Sequence, residues 1–188
     1  MRRIYFFAVG FVLVIVGITM IVGKLYPVAM VNGSLVWYRT WRTLERATQH
    51  ALIVELTASK TKLPADNKIA LIIKQDTLKA LVENRILVRL GKKEFVDFEL
   101  RSQDRVNRLV PDKNKMEKAA MFMYGLDAQA FNDLILMPQS RREVAQEDLD
   151  KRHVSFEDWF IQTKKEAHVR MLFTSFIWDG VEVVASSR

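Results

Sequence analysis

The side chains of this sequence that could do chemistry are three histidines, two acidic pairs and a cluster of methionines. His50, His153 and His168 are far apart and fall on different predicted elements. The chain has no cysteine and no H-x-x-x-H spacing, so a zinc ligand set is not expected. Paired carboxylates act as general acid and base only where burial separates their pKa values. Glu147-Asp148 and Glu157-Asp158 sit in charge-mixed helical stretches and read as solvated helix faces. There is no G-x-S-x-G and no phosphate-binding glycine loop; Gly91, Gly125 and Gly180 read as helix stops or turns. Nothing here calls for a catalytic residue, a metal or a cofactor.

Methionine gives the more specific signal. Met116, Met121, Met123 and Met137 fall within 22 residues, with Phe122, Tyr124 and Phe131 among them. Unbranched, polarisable side chains adapt to irregular partners, and promiscuous binding surfaces overuse them. The helical spacing of Met116, Ala120 and Met123 would equally suit a core. A second aromatic group, Trp37, Tyr38 and Trp41, suits either a core or a membrane headgroup region. The residues expected to contact a partner polypeptide are therefore Met116, Met123, Tyr124, Phe131, Met137 and Trp41.

The elements that must carry these side chains are legible from period and punctuation. Tyr26 to Val31 reads as a strand, Asn32-Gly33 as a two-residue hairpin turn, and Ser34 to Val36 as the return strand. A helical pattern follows over about 38–59. A second, over about 66–90, carries a broad apolar face of Ile69, Ile72, Ile73, Leu78, Leu81, Val82, Ile86 and Leu90, with Gly91 as its C-terminal stop. Shorter helices are predicted over about 97–109 and 112–124. Asp127 should cap a long helix from Ala128 to about Arg152, kinked near Leu134 to Met137 because Pro138 removes a ladder bond. Ser155-Phe-Glu-Asp158 resembles a capping box, with Asp in place of the usual Glu or Gln, and opens a helix to about Ala167. The period then changes: His168 to Ile177 is rich in strand formers, Asp179-Gly180 signals a turn, and Val181 to Val184 reads as a strand. A small β element built from both ends, pairing Val28–Val31 with Val169–Phe173, would close a mainly helical domain.

Ile4 to Gly23 is a run of twenty uncharged positions preceded by Arg2 and Arg3. Twenty helical residues span roughly 30 Å, the thickness of a bilayer's hydrocarbon core. The run exceeds the 7–15 residues typical of a cleaved signal, and no A-x-A-like site follows it. The sequence thus predicts a cytoplasmic tip at 1–3, an uncleaved single-pass transmembrane signal-anchor at 4–23 and an extracytoplasmic domain at 24–188, oriented by the two arginines. Lys and Arg total 29 against 22 Asp and Glu, a net charge of +7 spread along the chain. A dispersed surplus of that size does not make a nucleic-acid-binding surface.

The order of motifs resembles the N-terminal chaperone domain of SurA-type chaperones and membrane-anchored parvulin-like foldases. Its V-A-x-V-N-G strand and turn is matched by Val28-Ala-Met-Val-Asn-Gly33, and its L-x-x-L-I-x-x-x-L-L helix by the segment Leu78 to Leu90. Gly125-Leu-Asp-Ala-Gln-Ala-Phe131 matches a G-L-x-x-x-x-F helix start, and Met137-Pro-Gln-Ser-Arg-Arg-Glu-Val144 an arginine-bearing helix. The resemblance covers about 28–173. Trp37 departs from it, standing where a Ser or Thr cap is usual. His168-Val-Arg-Met-Leu-Phe173 looks like the opening strand of a parvulin isomerase domain, but only fifteen residues follow Phe173, too few for an independent core. The resemblance therefore implies the chaperone part without the isomerase: a membrane-anchored, non-enzymatic protein that binds unfolded or extended exported polypeptides, near translocation or envelope assembly machinery. The alternative is an assembly or structural subunit dedicated to one membrane protein complex.

Overall fold

The computed structural model describes residues 25–61 and 67–186. They form a mainly helical body with two small antiparallel sheets. Strands β1 (Pro27–Val31) and β2 (Ser34–Trp37) are joined by the Asn32-Gly33 turn, where both residues take positive φ, 48° and 85°. Such a pair matches the right-handed twist of the flanking strands, and Asn and Gly tolerate it best. Helices α1 (Tyr38–Ala58) and α2 (Asn67–Glu94) follow, then α3 (Phe98–Leu109), α4 (Lys113–Tyr124) and the single turn α5 (Ala128–Phe131). A π-helical turn at Asn132–Leu136 leads into α6 (Met137–Asp150), and α7 (Phe156–Glu166) comes next. Strands β3 (Val169–Met171), β4 (Phe176–Trp178) and β5 (Val183–Ala185) complete the order.

The helix ends follow their capping chemistry. Asp112 accepts from the N–H groups of Asn114 and Lys115, Asp127 from that of Ala130, and Ser155 from that of Asp158. Trp37 supplies no side-chain cap to α1; the Tyr38 N–H instead donates to the Tyr26 carbonyl at 2.9 Å. The α4 helix ends at Gly125, which sits in the left-handed region at φ 64°. The expected kink is a π-helical turn. Pro138 lies at the second position of α6, and the wider turn before it carries the ladder past the missing N–H.

The three-stranded sheet has the order β2-β1-β3, so the start of the described chain and a segment near its end share one sheet. Ala29 faces Met171, Met30 faces Arg170 and Val31 faces Val169. Asn32 locks this junction: its N–H donates to the His168 carbonyl (2.8 Å), while its Oδ1 accepts from the His168 N–H (2.9 Å). The core runs from this sheet (Val28, Val31, Val36) through α1 and α2 (Trp41, Leu44, Leu78, Val82, Ile86) to α6 and α7 (Val144, Leu149, Phe156).

Three expectations are corrected. Among the described residues no helix is long and apolar enough to cross a membrane. The run 4–23 lies outside the described residues, so the single-pass anchor, and the cell-membrane and extracytoplasmic placement drawn from it, are set aside. Gly91 is not a helix stop, because α2 continues to Glu94; its missing side chain instead makes room for Phe98, whose ring would lie 2.3 Å from a Cβ there. The β structure is two sheets rather than one element, for β4 and β5 pair only with each other.

Candidate functional site

The residues nominated from sequence do not form one surface. Trp41 is core: it is 7% exposed, and its indole N–H reaches the Lys74 carbonyl (3.0 Å) and Thr77 Oγ1 (3.2 Å). Its ring packs edge-on against Tyr38 and Phe176. Met137 is also core, at 6% exposure. Tyr124 and Phe131 are half-buried against each other, with ring centroids 5.3 Å apart. Met123 is partly exposed, while Met121 and Phe122 stand well into solvent on the outer face of α4. Met116 is half-buried where α4 meets α3.

What the fold does build is a groove. Its middle is a cavity of about 410 Å³ bounded by β2, α1, α2, α3, the π-helical turn and α6, with Leu44, Asn84, Glu99, Leu134, Met137 and Arg141 in its lining. It shares Ala80, Asn84 and Pro138 with a second hollow of about 260 Å³, whose walls include Leu87, Phe156 and Phe160. On the other side it shares Gln103 and Asn132 with a third hollow of about 270 Å³, lined by Val106, Val110 and Met116. The second hollow is mainly apolar, whereas the central cavity and the third hollow mix apolar walls with polar groups, among them Asn84, Glu99 and Arg141 in the first and Gln103, Asn107, Lys113 and Gln129 in the other. The sequence signalled the groove's parts without their meeting: Pro138 as a kink, Leu81 as part of an apolar face, Met116 as an adaptable contact. Nothing local in the sequence marked Ala80 as the small residue on which two hollows adjoin.

The groove's walls are held by charge. Arg141 donates to Glu99 Oε2 from two nitrogens, at 2.8 and 3.3 Å, and a third contact of 3.4 Å reaches Asn84 Oδ1. Deeper in the α3–α6 contact, Arg101 grips Asp148 with two hydrogen bonds (2.6 and 3.0 Å). Arg105 bridges Glu143 at 2.9 Å and also binds Glu147. The Arg101 guanidinium holds the Asp148 carboxyl below the usual carboxylate range, with Lys151 adding to it. Glu147-Asp148 is therefore part of an interhelical ion cluster: Glu147 stays exposed to solvent as expected, while Asp148 is largely covered. Where those helices cross, Ser102 and Ser140 are fully buried, and the Ser140 hydroxyl donates to the Ser102 carbonyl at 2.7 Å.

The histidines stay apart. His50 Nδ1 lies 3.2 Å from the Met123 carbonyl and helps seat α4 on α1, and His168 is exposed beside the sheet. Among the described residues no three His, Cys, Asp or Glu side chains are placed to share a metal ion.

No family model, curated protein or solved structure matches the chain. The likeness to SurA-type domains rests on the sequence motifs alone.

Proposed function

We propose that this domain binds extended stretches of unfolded polypeptide, as a chaperone that carries out no covalent chemistry. The observation that supports the reading is the row of adjoining hollows, each with apolar walls and the central one also carrying Asn84, Glu99 and Arg141, framed by helices that charge clusters hold in place. An extended chain places successive side chains about 3.3 Å apart along its length, so it can drop apolar groups into separate hollows. Globular ligands and flat, dedicated partner surfaces fit such a trough less well. Contacts of this kind are individually weak and tolerant of sequence, which is what a holding function needs.

Ala80 provides the test. It is exposed on α2 and borders two of the hollows, so Ala80→Trp fills the groove from a position outside the core. Wild-type protein should suppress light scattering by a chemically denatured client enzyme. Ala80→Trp should lose most of that activity while melting within a few degrees of wild type. Full activity of a folded Ala80→Trp protein overturns the reading.

A further inference from the structure

The centre of the groove carries an unmet hydrogen-bonding requirement. Glu99 Oε2 is held by Arg141, but Glu99 Oε1 is buried and accepts no hydrogen bond. A desolvated carboxylate oxygen without a donor is costly in a folded protein and calls for a specific explanation. Beside it, Asn84 has its Oδ1 turned to Arg141, which leaves the two N–H donors of its amide directed elsewhere. Both groups line the same cavity and are fixed by the same guanidinium. One offers an acceptor and the other offers donors.

We infer that this pair, Glu99 and Asn84 positioned by Arg141, recognises the main chain of the bound polypeptide, Glu99 accepting from a peptide N–H and Asn84 donating to a peptide C=O. The inference rests on the polypeptide-binding reading and adds to it what the polar centre recognises. Two observations favour main chain over a basic side chain. The cavity lining is balanced, with Arg85 and Arg141 against Glu99 and Asp133, so a guest cation gains no net attraction. Arg141 also already neutralises Glu99 at 2.8 Å. A neutral donor meets Oε1 without disturbing that pair. Oε1 itself is closed off in this structure, so binding requires the carboxylate to turn and bring it to the cavity, a soft terminal torsion in a glutamate. Side-chain identity is then read only in the flanking hollows near Phe156 and Phe160 and near Val110 and Met116. This division gives affinity for any extended chain with spaced apolar groups, whatever lies between them.

The test uses fluorescence anisotropy of the full chain with a fluorescein-labelled ten-residue peptide of Leu, Phe, Ser and Thr. A second peptide has the same composition and apolar spacing, with the intervening residues exchanged. A third set carries one N-methyl group at each central amide in turn. The first two peptides should bind alike. N-methylation at one central position should weaken binding roughly tenfold or more, the scale of a hydrogen bond to a charged acceptor. Glu99→Ala should remove that sensitivity, leaving methylated and unmethylated peptides equal. If the peptides bind and Ala80→Trp blocks them, yet N-methylation has no effect at any central position, main-chain recognition is refuted while groove binding stands. If no peptide binds the wild-type protein, both proposals fail. N-methyl sensitivity that survives unchanged in a folded Glu99→Ala protein places the contact elsewhere and overturns the assignment.

Discussion

At the scale of single residues, the most constrained position is one whose role is to be empty. A Cβ on Gly91 would meet the Phe98 ring at 2.3, 2.5 and 2.6 Å, and that ring is 2% exposed in the core. Alanine normally improves a helix interior by up to about 1 kcal/mol over glycine. Here overpacking should outweigh the gain. Gly91→Ala is expected to lower stability by about 1–3 kcal/mol net, read from the urea midpoint at constant m-value. Two of the three methionines nominated for binding, Met123 and Met137, separate in the same way. Met137→Asp puts a charge at a position only 6% exposed and should cost more than about 3 kcal/mol, whereas Met123→Asp, at a partly exposed position, should change stability by about 1 kcal/mol or less. Thermal melts of the two variants side by side check the assignment. Their spacing in sequence could not distinguish them, because methionine suits core and surface alike.

Between elements, α3 and α6 both line the central cavity and are joined by ion pairs, so their contact depends on pH. The Asp148 carboxyl is held down chiefly by hydrogen bonds from Arg101. A carboxyl with a depressed folded pKa contributes stability above its unfolded pKa, about 3.9, and loses it as pH falls through the folded value. Stability should therefore be level from pH 7 to about 5 and fall steeply below pH 4. Asp148→Asn should start lower at neutral pH and lose less across the acid range. Urea midpoints at pH 7, 5, 4 and 3 for both proteins test the sign; an acid loss as steep in Asp148→Asn as in wild type would exclude this carboxylate as the source. Local signals such as Asp112, Asp127 and Ser155 are written in the sequence because a cap needs only its own first turn. The ion cluster escaped sequence reading because Arg101 and Asp148 lie on different helices, and charge-mixed segments look the same whether solvated or paired.

For the whole molecule, the sequence conveyed the helical order, the Asn32-Gly33 turn and the pairing of β1 with β3, since each rests on periodicity or turn chemistry. The groove was not legible. Its central cavity is lined by residues from Val36 to Arg141 on β2, α1, α2, α3, the π-helical turn and α6, and no window of sequence contains them all. The exposed apolar residues Ile53, Leu71, Ile72 and Phe122 lie on α1, α2 and α4, outside the core those helices help to build.

The sheet that joins the two ends of the described chain also imposes an order on biosynthesis. The β1–β2 hairpin is made early, yet Val31 and Asn32 wait for Val169 and His168 before their outer hydrogen bonds exist. At roughly 5–20 residues per second, a ribosome needs about 7 to 27 seconds to make the intervening chain. During that interval the hairpin is an unpaired edge, open to any extended strand nearby. A nascent chain stalled just before Ala167 should therefore show rapid exchange of the Asn32 amide, while one released past Phe173 should protect it. Such a protein would be most in need of a holding partner during the very period in which it is being made.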